Sequence, residues 1–172
     1  GIIFDFRSDG KYKRDIKLVD LHKIVSHIID TTVTSQKWNV PQIIYPDQEL
    51  IEFNERHWQI EPNEPSLNSK IVFIIDAHVV SSGETFLGII ENYNLAETVG
   101  SVTAGTNGNV NYIHLPGGFK IMWTGMKVLK HDGSQHHLIG IKPTYPVEKT
   151  IKAIKEGHDE FLEKALEIIN NN

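Results

Sequence analysis

The chain has 172 residues, of which 40% are hydrophobic, so it is long enough to form one domain around a buried core. Its formal net charge of −5, without any block rich in lysine and arginine, excludes the basic surface that nucleic-acid binding requires. The absence of cysteine excludes disulfides and thiolate zinc sites, and the apolar runs fall far short of the roughly 20 residues that span a bilayer.

The first half of the chain is predicted to contain one strand, one helix and a long connection. The opening segment GIIFDF has the composition of a buried strand, and because a domain seldom begins this way, we expect the chain to be a segment of a longer protein. Residues 31–69 contain four prolines and are predicted to form a long irregular connection with short extended pieces, of the kind that lines functional sites. A helix over residues 15–30 is predicted from apolar residues at helical spacing, namely Leu18, Leu21, Ile24, Val25 and Ile28.

The second half is predicted to alternate strands and helices. KIVFIID is typical of a central strand that is covered on both faces. A helix is predicted next, from Ser82 to Asn94. It is followed by a short strand at AETVGSV, a loop at TAGTNGNVN and a hairpin that turns at PGG. From Val147 onward the chain is predicted to be helical, with a glycine at Gly157. This order predicts an α/β fold with a partly parallel sheet, in one domain over residues 1–172. The inward face of the first of these helices is predicted to carry Phe86, Ile89, Ile90 and Tyr93.

The strand-to-helix junction VVSSGETF, residues 79–86, has two interpretations. Ser81 and Glu84 have the spacing of a capping box, in which the side chains satisfy free backbone N–H groups at the start of a helix. Alternatively, a serine at a helix N-terminus lies in a positive potential that stabilises an attacking oxygen and the resulting oxyanion. Taken alone, the junction favours the capping box, with Glu84 as a cap.

An ordered series of motifs extends over the whole chain: DFRSDGKY, IIDAHVVSSGETF, TVGSVTAGTNG, LPGGFKIMWTG, KHDGS, GIKPTYPV and EGHDEFLEKALEII. In order and spacing they resemble the motifs of the C-terminal processing peptidases, or tail-specific proteases, and of their tricorn-type relatives. The resemblance implies a ClpP/crotonase-like spiral sheet core with flanking helices. It also implies serine endopeptidase chemistry on unfolded or C-terminal peptide segments, without a cofactor, in an extracytoplasmic (periplasmic or secreted) location.

The resemblance also implies a nucleophile and an oxyanion hole. The nucleophile of the family is the serine three residues before the glutamate, which is Ser81. The backbone N–H of Ser82 would form half of the oxyanion hole, and Gly10 in the turn after the first strand would supply the other half. The two residues after Gly10 are not the further glycines that the family usually has there.

The general base departs from the family pattern. The positions of the family's lysine and aspartate hold Thr106 and Asn92, which excludes a lysine dyad at the usual place. A serine hydroxyl still needs a base within hydrogen-bond reach. In the tricorn-type branch a histidine works with a glutamate three residues before the glycine at Gly140, a position that His137 occupies. His137 is therefore the first candidate for the base, or for the partner of a histidine outside this chain, and His78 is the second.

Two polar loops have alternative interpretations. TAGTNGNVN lacks the lysine of a phosphate-binding loop, so we expect Thr106 and Asn107 either to line the cleft and bind substrate or to form a simple turn. HDGSQHH places His131, Asp132 and two further histidines close together, as in zinc sites. Since its Asp-Gly turn resembles the family's ordinary hairpin, a polar loop without metal is favoured.

Several other polar residues have structural interpretations. Asp5 and Arg7 are predicted to form an ion pair that fixes the turn after the first strand. His22 and His27 are predicted to lie on the surface of the first helix. No role is predicted for the isolated histidines His57, His114 and His158.

The sequence is compatible with two functions. The first is a serine peptidase that hydrolyses peptide bonds by acyl transfer from Ser81 with a histidine as base, and that binds extended peptides along a sheet edge. The second is a catalytically inactive module that binds a peptide or an apolar ligand on the same fold. The sequence leaves the oligomeric state open.

Overall fold

The computed structural model describes residues 1–7 and 18–171. These residues form eleven strands and four helices: β1 (Ile2–Asp5), α1 (Leu18–Ser26), β2 (Val33–Thr34), β3 (Lys37–Gln42), β4 (Glu52–Arg56), β5 (Gln59–Ile60), β6 (Ile71–Ile75), α2 (Ser82–Tyr93), β7 (Glu97–Gly100), β8 (Val110–His114), β9 (Lys120–Thr124), β10 (Lys127–Leu129), β11 (Tyr145–Pro146), α3 (Ile151–Glu156) and α4 (Glu160–Asn170).

The central sheet has the strand order β1-β6-β7-β11, and all of its pairings are parallel. Every residue of β6 is buried, and its side chains alternate between two apolar clusters. Ile71, Phe73 and Ile75 pack with α1 and α2, whereas Val72 and Ile74 pack with α4. Each buried side chain of this kind contributes about 1.5–3 kcal/mol. The predicted α/β fold, with a parallel sheet between flanking helices, is confirmed.

The predicted irregular connection over residues 31–69 is more regular than expected. It contains four strands, and β3 and β4 form a hairpin with five paired positions. β10, far along the chain, joins the other edge of β3 in an antiparallel pairing. The prediction failed here because the prolines mask the alternation, and because the strand that completes this sheet is distant in sequence.

The helices lie where they were predicted, with differences at their ends and in the exposure of Tyr93. α1 ends at Ser26, four residues earlier than predicted, and α2 ends at Tyr93, followed by Asn94 in the left-handed conformation. The last predicted helix begins at Ile151 rather than Val147, after the N-cap Thr150, and it divides at Gly157, whose φ of 76° ends α3 before α4 begins. Tyr93 is 37% exposed rather than turned inward, and its hydroxyl accepts the backbone N–H of Thr34. Among the described residues, no helix combines the length and apolarity needed to cross a membrane.

The predicted hairpin at PGG is confirmed as β8 and β9. Its turn closes through the N–H of Leu115 and the carbonyl of Phe119, with Gly117 and Gly118 both at positive φ. All residues of both strands are exposed. Within the described part of the chain, no third strand pairs with this hairpin.

Candidate functional site

Ser81 lies at the corner between β6 and α2, at the carboxyl end of the parallel sheet, where α/β folds place their ligand sites. Its backbone has φ 53° and ψ −119°, a conformation that is rare for a residue with a Cβ atom. The residue is exposed, and its side chain makes no capping hydrogen bond with the described residues. The capping-box interpretation of Ser81 is therefore wrong.

Backbone hydrogen bonds to a neighbouring loop hold this corner. The N–H of Ser81 donates to the carbonyl oxygen of Thr106 at 2.8 Å, and the N–H of Ala104 donates to the carbonyl oxygen of Val79 at 3.1 Å. The first turn of α2 closes when the N–H of Thr85 donates to the carbonyl of Ser81 at 3.0 Å. Contacts on both sides thus fix the strained backbone of Ser81.

Glu84 has a different role from the predicted cap. Its side chain is fully buried, and Oε1 accepts hydrogen bonds from Thr103 Oγ1 and from the N–H of Gly105, both at 2.6 Å. Oε2 accepts the N–H of Thr106 at 2.9 Å. The carboxylate fastens the loop of residues 103–106 to α2, and that loop in turn holds Ser81.

His136 is a second buried polar side chain at this junction. Its Nε2 lies 3.4 Å from Glu84 Oε2, which is ion-pair distance. The alignment is not that of a hydrogen bond, and neither ring nitrogen has a hydrogen-bond partner among the described residues. His136 therefore packs beside the Glu84 carboxylate without a hydrogen bond to it.

A cleft of about 490 Å³ opens at Ser81. Part of its lining comes from β3, the end of β4 and the two residues that follow it. The rest comes from the start of α2, the loop of residues 107–109 and Met126. Its lining residues are Trp38, Val40, Arg56, His57, Trp58, Ser81, Ser82, Thr85, Asn107, Gly108, Asn109 and Met126.

Three residues predicted from the sequence meet in this cleft: Ser81, Ser82 and Asn107. Ser82 is the first residue of α2, and its backbone N–H has no acceptor among the described residues. Thr106 is exposed and lines a second cleft of about 850 Å³, which adjoins the first at Asn107 and Met126. Gly10, the predicted second donor of the oxyanion hole, lies outside the described residues.

The two predicted base candidates are not among the residues that line the Ser81 cleft. His137 is exposed and lines the second, larger cleft. The His78 side chain is 68% exposed, and its Nδ1 lies 3.3 Å from Asp76 Oδ2. Asp76 also accepts the N–H of His78, so this residue is oriented toward its own strand end.

No role was predicted from the sequence for His57, yet His57 lines the cleft that contains Ser81. His57 directly follows β4, and the pairing of β4 with β3 brings it opposite the start of α2. No local signal in the sequence indicates this, because the proximity depends on a sheet built from distant segments. Arg56, the last residue of β4, reaches the same cleft for the same reason.

Two further histidines, His22 and His131, make structural contacts. His22 is not a surface residue: it is half-buried, its ring centroid lies 4.5 Å from that of Trp58, and burial lowers the pKa of its imidazole. In the HDGSQHH loop, His131 Nε2 lies 2.8 Å from the carbonyl oxygen of Thr34, and Asp132 accepts the N–H of Ser134. Over residues 1–7 and 18–171, no three acidic or histidine side chains converge as metal ligands would.

The predicted ion pair of Asp5 and Arg7 is confirmed, and it extends further. Arg7 donates to Asp5 through Nε at 3.0 Å and Nη2 at 2.8 Å. Both of its terminal nitrogens also donate to the carboxylate of Asp159 at 2.7 Å. Asp159 is the N-cap of α4, so Arg7 connects the end of β1 to the start of the last helix.

Comparison with protein families gives one match that covers most of the chain. The model of peptidase family S41 matches residues 7–147. A search of curated protein sequences finds no significant match.

Solved structures share the fold at low sequence identity. A proposed peptidase from Parabacteroides merdae ATCC 43184 has a TM-score of 0.74 at 16% identity, over 90% of this chain and 48% of that chain. Mature CPAF complexed with lactacystin has a TM-score of 0.72 at 17% identity, over 91% of this chain and 42% of that one. The photosystem II D1 C-terminal processing protease has a TM-score of 0.55 at 14% identity, over 86% and 34%. The chain thus spans half or less of the length of these proteins.

Proposed function

The chain belongs to peptidase family S41, and we propose that it hydrolyses peptide bonds by acyl transfer from Ser81 with a histidine as base. Family membership supports a serine peptidase-like domain in general terms. The identity of the nucleophile and the base is our proposal. The substrates of the complete protein, and its periplasmic or secreted location, remain predictions from the resemblance.

The conformation of Ser81 carries the proposal. An exposed serine at φ 53°, whose side chain makes no capping bond to any described residue, has a strained backbone, and a role of the side chain other than capping would account for it. It stands at the N-terminus of a helix of 12 residues, beside the unaccepted N–H of Ser82. Such a position stabilises negative charge on an oxygen bonded to the attacked carbon.

The proposed reaction follows acyl-transfer chemistry. Ser81 Oγ attacks the carbonyl carbon of the peptide bond while its proton passes to the histidine base, and the N–H of Ser82 donates to the resulting oxyanion. When the tetrahedral intermediate collapses, the C–N bond breaks and the histidine returns the proton to the leaving amine. Water, deprotonated by the same histidine, then hydrolyses the ester and restores Ser81.

We propose His57 as the base, because it lines the same cleft as Ser81. A neutral imidazole is a suitable proton acceptor for a serine hydroxyl. His137 lines the adjoining cleft and His78 pairs with Asp76, so each needs a rearrangement to serve Ser81. The three histidines are therefore ranked with His57 first, and substitution of each one separates them.

A fluorophosphonate probe, which reacts with activated serines, tests the proposal directly. The unmodified chain is expected to take up one probe, and Ser81→Ala is expected to take up none. Ser82→Ala is the matched control, because it removes the adjacent hydroxyl but keeps the backbone N–H. His57→Gln is expected to slow labelling by about 100-fold or more, whereas His137→Gln and His78→Gln should leave the rate unchanged.

Labelling that persists in Ser81→Ala would eliminate Ser81 as the nucleophile. A rate that falls with His137→Gln or His78→Gln, but not with His57→Gln, would reassign the base. If neither this chain nor the full-length protein is labelled, while peptide binds the cleft, the inactive binding module is the correct function.

A further inference from the structure

Arg56 lines the same cleft as Ser81. It is the last residue of β4 and pairs directly with Trp38 of β3. Paired residues of adjacent strands point to the same face of a sheet, and so do residues two apart along one strand. Trp38 and Val40 both line the cleft, which places the Arg56 side chain on that same face.

The Arg56 side chain has no hydrogen-bond or ion-pair partner within the part of the chain whose side chains the structure describes, residues 1–7 and 21–171. Two other cations differ in this respect: Lys37, on the same sheet, lies 2.9 Å from Glu55, and Arg7 binds two aspartates. A guanidinium carries five N–H donors in a fixed fork that matches a carboxylate. Arg56 thus presents an unoccupied fork of donors to the cleft.

The electrostatic surroundings favour an anion at Arg56. No aspartate or glutamate is among the described residues that line the cleft. The N-terminus of α2 faces the same space at Ser81 and Ser82 and adds partial positive charge. A local positive potential in a protein of net charge −5 is expected to attract a negatively charged part of a ligand.

We propose that Arg56 is a specificity-determining residue, which binds a carboxylate of the peptide in the same cleft as Ser81. The inference rests on the proposed peptidase function, because it names the substrate class of that site. The carboxylate is either the C-terminal group of the peptide or an aspartate or glutamate side chain. Both have the same two oxygens and make the same paired contacts with a guanidinium.

Peptide binding to the Ser81→Ala variant, measured by calorimetry, tests the inference without catalysis. The first arm compares acetylated tetra-alanine as the free acid with its C-terminal amide. The second arm compares acetylated tetrapeptide amides that carry aspartate or asparagine at one position. In at least one arm the anionic peptide is expected to bind about tenfold more tightly than its neutral partner.

Arg56→Gln in the same background is expected to abolish that ratio, and Arg56→Lys to retain only part of it. Lys37→Gln is the matched control, since it removes one positive charge from the same sheet outside the cleft lining and should leave the ratio intact. A ratio near one in both arms, or a ratio that survives Arg56→Gln, overturns the inference. Because Ser81 is absent from this assay, failure of fluorophosphonate labelling would count against the peptidase proposal alone.

Discussion

Glu84 accepts the backbone N–H of Thr106 at 2.9 Å, and the carbonyl oxygen of Thr106 accepts the N–H of Ser81 at 2.8 Å. A buried carboxylate is thereby connected through one loop residue to the strained serine of the cleft. The position of Thr106 is the one that carries a lysine in the serine–lysine branch that the sequence resembles. Here its backbone supports Ser81, while the side chain lacks a basic group.

Replacement of Glu84 by glutamine tests this connection. Glu84 accepts three hydrogen bonds through its two oxygens, and an amide nitrogen in place of either oxygen would face at least one N–H or O–H donor. We expect Glu84→Gln to lower the free energy of unfolding by about 2–4 kcal/mol, as measured from the urea midpoint. Glu167→Gln, at an exposed position that pairs with Lys164, should change it by less than about 0.5 kcal/mol. Equal midpoints for the two variants would show that the loop does not depend on the Glu84 carboxylate.

The backbone of Ser81 gives a second prediction. Glycine adopts φ 53° without the clash that a Cβ atom causes, whereas alanine retains the strain. Ser81→Gly is therefore expected to be more stable than Ser81→Ala by about 1 kcal/mol in thermal or urea unfolding, although both lose the hydroxyl.

The same pair of substitutions at Ser82 is the control. Ser82 is the first helical residue of α2, so glycine there should be less stable than alanine, by about 0.5–1 kcal/mol. If alanine equalled or exceeded glycine at both positions, the corner would not be strained in solution.

The elements predicted correctly are those with a strong local pattern. The apolar run of β6, the helical spacing of α2 and the Pro-Gly-Gly turn of the β8–β9 hairpin each depend on a few consecutive residues. By contrast, the sheet of β10, β3 and β4 depends on pairing between distant segments, which no local window contains. His57 and Arg56 reach the cleft through that sheet, and so their proximity to Ser81 was not predicted.

Glu84 shows a second reason why the sequence alone did not predict the arrangement of the site. The spacing of Ser81 and Glu84 is the same whether the glutamate turns back to cap its helix or turns inward beneath it. The glutamate turns inward because Thr103 and Gly105, in a loop about 20 residues away, donate hydrogen bonds to its carboxylate. The motif lies at the corner where Ser81 lines the cleft, although its capping interpretation was wrong.

His22 is expected to make stability depend on pH near neutrality. Burial against Trp58 lowers the pKa of His22 below its ordinary value of 6.5, because the charged imidazole would lose hydration. Below about pH 6.5 the unfolded chain then binds a proton that the folded chain does not, so the free energy of unfolding falls as the pH falls. His22→Phe keeps a ring against Trp58 without titrating, and it should show a smaller loss between pH 7 and pH 5.

The control for this experiment is His114→Phe, at an exposed position of the β8–β9 hairpin. It should retain the pH dependence of the unmodified protein, which urea unfolding at several pH values would measure. If His22→Phe and His114→Phe lost stability equally on acidification, the buried imidazole would not be the group responsible.

The ion pair of Arg7 and Asp159 is expected to stabilise the folded protein at neutral pH and to lose that contribution in acid. Hydrogen bonds from Arg7 lower the pKa of Asp159 below its ordinary value of 3.8. A carboxyl whose pKa is depressed by folding stabilises the protein above its unfolded pKa, and that contribution disappears as the pH falls through its folded pKa. Asp159→Asn keeps a side-chain oxygen that caps α4 but loses the charge, so at pH 7 we expect a loss of about 0.5–1 kcal/mol.

That difference between Asp159→Asn and the unmodified protein should shrink as the pH is lowered below 3.8, because the carboxyl is then progressively protonated in both folded and unfolded chains. Thermal unfolding at pH 7, 5 and 3 would measure it, with Asp47→Asn as a control at an exposed site. High salt should weaken the effect only partly, because the Arg7 side chain is only 15% exposed and its pair with Asp159 is accordingly screened less than a surface pair. If the stability difference between Asp159→Asn and the unmodified protein stayed constant from pH 7 to pH 3, Asp159 would stabilise the protein only as the cap of α4. The charge of its carboxylate would then not be needed by Arg7.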